Sequence, residues 1–148
     1  MRRIMEKTCV RFKERSGETD YVRFVLKRAT HPERRPTSCS FVRRTRQEPR
    51  LEIYQNYWQT GVILHELGHV LGLQDEALRP DRDASISVAH RNIYNKELQK
   101  KFDKIATEKF NFLGQPFDPN SIMMWPNNMF GKVSLCVFFL RSDVLVYK

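Results

Sequence analysis

The sequence predicts a single α+β domain, strands first and helices after. Its length of 148 residues is about one domain's worth. Strand-favouring runs fill the stretch before residue 30, and from about Gln59 the apolar period becomes helical. With 41% hydrophobic and 11% aromatic residues the chain can bury a modest core, which excludes disorder throughout. It carries neither internal repeats nor low-complexity linkers.

In chain order, Thr8 to Phe12 alternates like a half-buried strand, and Asp20 to Leu26 is rich in strand formers. Residues 30 to 50, with Pro32, Pro49 and many arginines, read as loops around one strand near Ser40 to Val42. Leu51 to Tyr54 is a further short strand. Val62, Ile63, Leu67, Val70 and Leu71 then recur near helical spacing, and Gly72 stands where a helix can end in a left-handed residue. A second helix is expected from about Val88 to Ala106, where Tyr94, Leu98, Phe102 and Ile105 form a stripe with lysines opposite. Those apolar residues read as core rather than as a cofactor surface.

The net charge of +9 sits entirely in the first third. Residues 1 to 50 hold 15 basic against 6 acidic side chains, while the rest balances at 11 against 11. Arg34, Arg35, Arg43, Arg44, Arg46 and Arg50 suit either a polyanion contact or a solvated loop face; no aromatic residues interleave for base stacking. No uncharged apolar run approaches the roughly 20 residues a membrane span needs, the longest being Val133 to Leu140. The opening Met1-Arg2-Arg3-Ile4-Met5-Glu6-Lys7 has charges with no apolar stretch behind them, so it does not read as a signal peptide. Either the protein stays inside the cell or the chain lacks its true beginning.

Chemistry concentrates in His65-Glu66-Leu67-Gly68-His69. Four residues apart on a helix, His65 and His69 share a face and both imidazoles reach one zinc ion, with Glu66 beside them to accept a proton from a water there. Gly72 ends the helix and lets the chain double back, so that Asp75 points at the same ion from another side. The alternative for Asp75 is an exposed loop residue. His31 and His90 read as ordinary surface or packing histidines.

The run from His65 through Glu76 into Arg79-Pro80-Asp81-Arg82-Asp83 resembles the astacin family of zinc metalloendopeptidases, a branch of the metzincins. Ser121-Ile122-Met123-Met124-Trp125 is similar to that family's Met-turn, and Lys7 to Phe12 with Asp20-Tyr21-Val22 resemble its early strands. The resemblance implies an N-terminal twisted β-sheet, a zinc-binding active-site helix and a small irregular C-terminal subdomain with the Met-turn. It implies one zinc ion held by His65 and His69, Glu66 as general base and acid, and Met123 as the hydrophobic floor. Protein or peptide substrates and an extracellular setting come with it. The domain is expected over residues 1 to 131, incomplete at both ends, with 132 to 148 a tail without family resemblance.

Several positions depart from the family pattern. Asp75 stands where the family has its third ligand histidine; two-histidine-plus-carboxylate zinc sites exist, but an anionic ligand acidifies bound water less, so a weaker, alkaline-shifted enzyme is expected. Trp125 stands where the family has a tyrosine that helps hold the oxyanion, and losing such a donor costs about 10² to 10³ in turnover. The family's counterpart of Glu76 helps tie down the mature N-terminus. Its counterpart of Cys39 pairs with a cysteine at the position of Tyr57, and its counterpart of Cys9 pairs near the domain's C-terminus, so both disulfides are expected to be lost unless Cys9 or Cys39 pairs with Cys136. The tail has two readings. Lys132-Val133-Ser134 is what an exon ending AAG encodes on reading through a splice donor, or Val133, Leu135, Val137 and Phe139 alternate as a closing strand.

Three functions follow: a zinc endopeptidase; a degenerate domain that binds zinc or a protein without turnover, or an incomplete gene product; and a polyanion-binding module built on the basic third.

Overall fold

The computed structural model describes residues 1–19, 21–28, 50–54, 59–132 and 135–141. The chain forms two compact units, Met1–Leu73 and Gln74–Lys148, each with its own buried cluster.

The first unit opens with helix α1, Arg2–Lys7, which buries no residue. Thr8 ends it in an extended conformation, its hydroxyl donating to the Ile4 carbonyl at 2.7 Å. The strand expected over Thr8 to Phe12 does not form. Arg11 instead donates to the carbonyls of Met5, Thr8 and Val10 at 3.1, 2.7 and 2.9 Å, occupying acceptors that a strand would offer to a neighbour. Strands β1, Arg23–Lys27, and β2, Arg50–Tyr54, pair in parallel with Phe24 opposite Leu51 and Leu26 opposite Ile53. Both were legible in sequence, β1 beginning slightly later than expected. The strand near Ser40 to Val42 lies outside the described residues.

Helix α2 runs Thr60–Val70. Its Ile63, Leu67 and Val70, at i, i+4 and i+7, pack with Leu51 and Ile53 of β2, joined by Ile4, Phe12 and Val22. Leu51, Ile53 and Leu67 are at most 2% exposed, and each such burial is worth about 1.5–3 kcal/mol.

In the second unit strand β3, Ile86–Val88, pairs antiparallel with β4, Phe138–Leu140, Ile86 opposite Leu140. The helix expected over Val88 to Ala106 is absent: the segment is a strand end, a 3-10 turn at His90–Asn92, a four-residue helix α3, Lys96–Gln99, and a second 3-10 turn at Lys100–Phe102. Distant backbone partners break it. Ile93 bridges Gly131, Tyr94 N–H donates to the Phe130 carbonyl at 3.0 Å and Ala89 N–H to the Val137 carbonyl at 2.8 Å. Of the expected stripe only Phe102 is fully buried, and Tyr94 is 70% exposed.

Phe102 centres the unit's core, with Ala77, Ile86, Ile93, Val137 and Phe138 around it. The rings of Trp125 and Phe138 lie 5.4 and 5.5 Å from it. Residues 135–141 therefore belong to the packed unit. The alternation read from Val133 does not hold for the described part, since Val137 and its neighbour Phe138 are both buried while Leu135 and Phe139 are exposed. No helix among the described residues is long and apolar enough to cross a membrane.

Candidate metal centre

Helix α2 places His65, Glu66 and His69 within one turn and a residue. Glu66 and His69 are 4% and 7% exposed, and the two imidazoles stand edge to face, 4.7 Å between centroids. The helix stops where the glycine signal says it should. Gly72 has φ +96°, its N–H donates to the His69 carbonyl at 2.9 Å, and the Leu73 N–H donates to the Gly68 carbonyl at 2.9 Å, the paired bonds of a Schellman cap. That cap delivers the Leu73 carbonyl to His69 Nδ1 at 2.9 Å. A carbonyl only accepts, so Nδ1 carries the proton and the imidazole's lone pair is on Nε2, the orientation that metal-binding histidines take from such a partner.

Beyond the cap the chain turns at Asp75, which precedes a 3-10 turn at Glu76–Leu78 and makes no side-chain cap to it. One ligand atom each from His65, His69 and Asp75 lie within 4.8 Å of one another. Two imidazoles and a carboxylate are donors that zinc accepts at about 2.0–2.2 Å, which corresponds to a tetrahedral donor spacing of roughly 3.3–3.6 Å. The donor set fits one divalent ion. Glu66 Oε2 and Asp75 Oδ1 are both closed off from solvent.

Around Asp75 the second unit builds a buried ionic turn. Glu76 Oε1 accepts the Asp118 N–H at 2.8 Å and lies 3.4 Å from Arg79. Burial raises the Glu76 carboxyl above its ordinary range, opposed by that N–H and by Arg79. The hydrogen bonds of Arg79 hold Asp81 below its range, and the Lys104 ammonium, 2.6 Å away, does the same for Asp83. Arg82 is 5% exposed and donates to the Ala77 carbonyl. Arg79, Asp81, Arg82 and Asp83 belong to the stretch that resembles the family motif, and the sequence alone assigns them no role.

Met123 is 3% exposed, its carbonyl accepting the Glu76 N–H at 2.9 Å and its own N–H donating to Ser121 Oγ at 3.1 Å. Trp125 packs edge-on against Phe102 and Phe130. Cys9 and Cys136 are both free thiols, which removes the pairings with Cys136. Cys39, Tyr57, His31, Arg34, Arg35, Arg43, Arg44 and Arg46 lie outside the described residues, and Arg50 is placed only by its backbone. His90 is an exposed surface residue near the Phe102 ring, as expected.

The family model of Astacin, a peptidase family, matches residues 1–137. Tolloid-like protein 1 of Mus musculus is 36% identical over 134 residues, spanning 89% of this chain and 12% of that protein. Bone morphogenetic protein 1 of Xenopus laevis matches equally, with 18% of its length covered. Among solved structures, high choriolytic enzyme 1, a hatching enzyme zinc-protease from Oryzias latipes (Medaka fish), superposes with a TM-score of 0.82 at 30% identity, over 97% of this chain and 66% of that one. The chain thus spans less than a fifth of these two curated relatives.

Proposed function

The chain belongs to the astacin family of metallopeptidases, with that family's mixed helix and sheet, and from that premise we propose that it is a zinc endopeptidase. His65, His69 and Asp75 hold the ion; the observation that carries this is the convergence of their ligand atoms within 4.8 Å. Bound zinc supplies Lewis acidity, lowering the pKa of a water and polarising a peptide carbonyl. Glu66, next to His65 on the helix, takes a proton from that water and returns it to the departing amine. His69 is held in its metal-binding tautomer by the Leu73 carbonyl. The segment Ser121 to Trp125 corresponds to the family's Met-turn, with Met123 its buried methionine, and β1 with β2 is part of the twisted sheet. Protein or peptide substrates and an extracellular setting complete the reading.

A domain that holds zinc without turnover is the second reading, favoured by Trp125, whose indole is committed to the aromatic cluster of the second unit. The same experiment separates the two. Elemental analysis after dialysis against a weak chelator should give near one zinc per chain, and Glu66→Gln should keep that zinc while abolishing peptide cleavage. Zinc without cleavage by the unaltered chain supports the second reading; near-zero zinc overturns both.

A further inference from the structure

Asp75 opens a turn whose far end is locked by Arg79. Arg79 is 3% exposed. Its Nε and one terminal nitrogen donate to the two Asp81 oxygens at 2.9 Å each, and the same terminal nitrogen donates to the Gln115 carbonyl at 3.1 Å. The other lies 3.4 Å from Glu76 Oε1 and 3.5 Å from the Pro116 carbonyl. The rings of Phe112, Phe110 and Phe117 flank the guanidinium at 5.0, 5.6 and 5.9 Å. At the near end the Glu76 N–H is tied to the Met123 carbonyl and the Asp75 carbonyl accepts the Leu78 N–H at 3.1 Å.

A buried ion of this kind is a poor stabiliser, because desolvation offsets most of its attraction and apolar packing does as well. What a planar fork of five donors adds is fixed direction. Its hydrogen-bond and ion-pair partners are Glu76 and Asp81, on the stretch that follows Asp75, and the carbonyls of Gln115 and Pro116.

We propose that Arg79 is a positioning residue for the metal centre: through Glu76 and Asp81 it sets the 75–79 turn so that the Asp75 carboxylate is presented preformed to the ion. The proposal rests on reading His65, His69 and Asp75 as ligands. The contacts of Arg79 named above include none of the three proposed ligands, so its effect on the centre passes through the turn that carries Asp75. Outer partners that orient ligands typically govern 10- to 100-fold in metal affinity.

The test is the zinc affinity of the full chain by competition with a chromophoric chelator, in four chains: unaltered, Arg79→Lys, Asp75→Ala and the double variant. Arg79→Lys should lose about tenfold in affinity in the first background and less than about twofold with Asp75 already gone. The visible absorption of the cobalt(II)-loaded Arg79→Lys chain should move toward that of Asp75→Ala. Asn95→Ala, which removes a helix cap elsewhere in the same unit, should leave zinc affinity in place. An equal loss in both backgrounds, or no loss in the first, overturns the proposal. If Arg79→Lys fails to fold, the charge-neutral pair Glu76→Gln/Arg79→Met keeps an acceptor for the Asp118 N–H and goes through the same comparison with the same two outcomes. An unaltered chain that binds no zinc refutes the ligand reading itself, before any variant is made.

Discussion

Asp81 and Asp83 carry the acid response of the second unit. Arg79 holds the first below its ordinary value and Lys104 the second. A carboxyl whose folded pKa lies below the unfolded 3.8 stabilises the fold above that pH, and the contribution is lost as pH falls through the folded value. Glu76 has the opposite sign. Burial raises it above 4.5, so its ionised form costs stability at neutral pH and protonation relieves that cost. In chelator, the urea midpoint followed by fluorescence should therefore hold or rise slightly as pH falls toward 4.5, then drop below about 3.8. Asp81→Asn should lower the neutral midpoint and flatten the drop; an unchanged acid slope would remove the Arg79 fork as its cause.

At the scale of elements, α3 exists because of one side chain. Asn95 Oδ1 accepts the Leu98 N–H at 2.8 Å and starts four residues of helix that local periodicity alone does not sustain. Asn95→Ala should cost about 1 kcal/mol in urea unfolding, and a cost near zero would mean that Phe102 alone holds the segment in place. This is also where sequence reading divides. Helix α2 was legible since its period, its glycine stop and its paired histidines all lie in one short run and agree. The stretch from Val88 to Ala106 was not, because its partners Phe130, Gly131 and Val137 are remote in sequence and override a stripe of helical spacing. The same distance hid the ionic turn around Arg79, whose tie to Asp118 spans 42 positions. Thr8 to Phe12 failed for a local reason, an arginine that caps carbonyls instead of leaving them to a sheet.

For the whole molecule, the decisive segment is the one that follows Gly131. Val137 is fully buried and Phe138 6% exposed, both in the core around Phe102. The Val137 carbonyl accepts from Ala89, the Cys136 carbonyl accepts from Asn92 Nδ2 at 2.6 Å, and β4 pairs along β3. Gly131, which leads into this segment, has no room for a side chain: a Cβ there would meet the Leu135 carbonyl oxygen at 2.6 Å. Burying Val137 and Phe138 is worth about 1.5–3 kcal/mol each, and each backbone bond adds about 1 kcal/mol. Together these approach the roughly 5–15 kcal/mol that typically separates a folded domain from its unfolded chain. A chain ending at Gly131 should accordingly lose near-ultraviolet circular dichroism and the cooperative unfolding of the second unit, while one ending at Arg141 keeps every contact named here and should unfold as the full chain does. Equal cooperativity in the two would show that the segment adds nothing to the core. Loss in the shorter chain alone would identify residues 132–141 as the closing piece of the fold, whatever their coding origin.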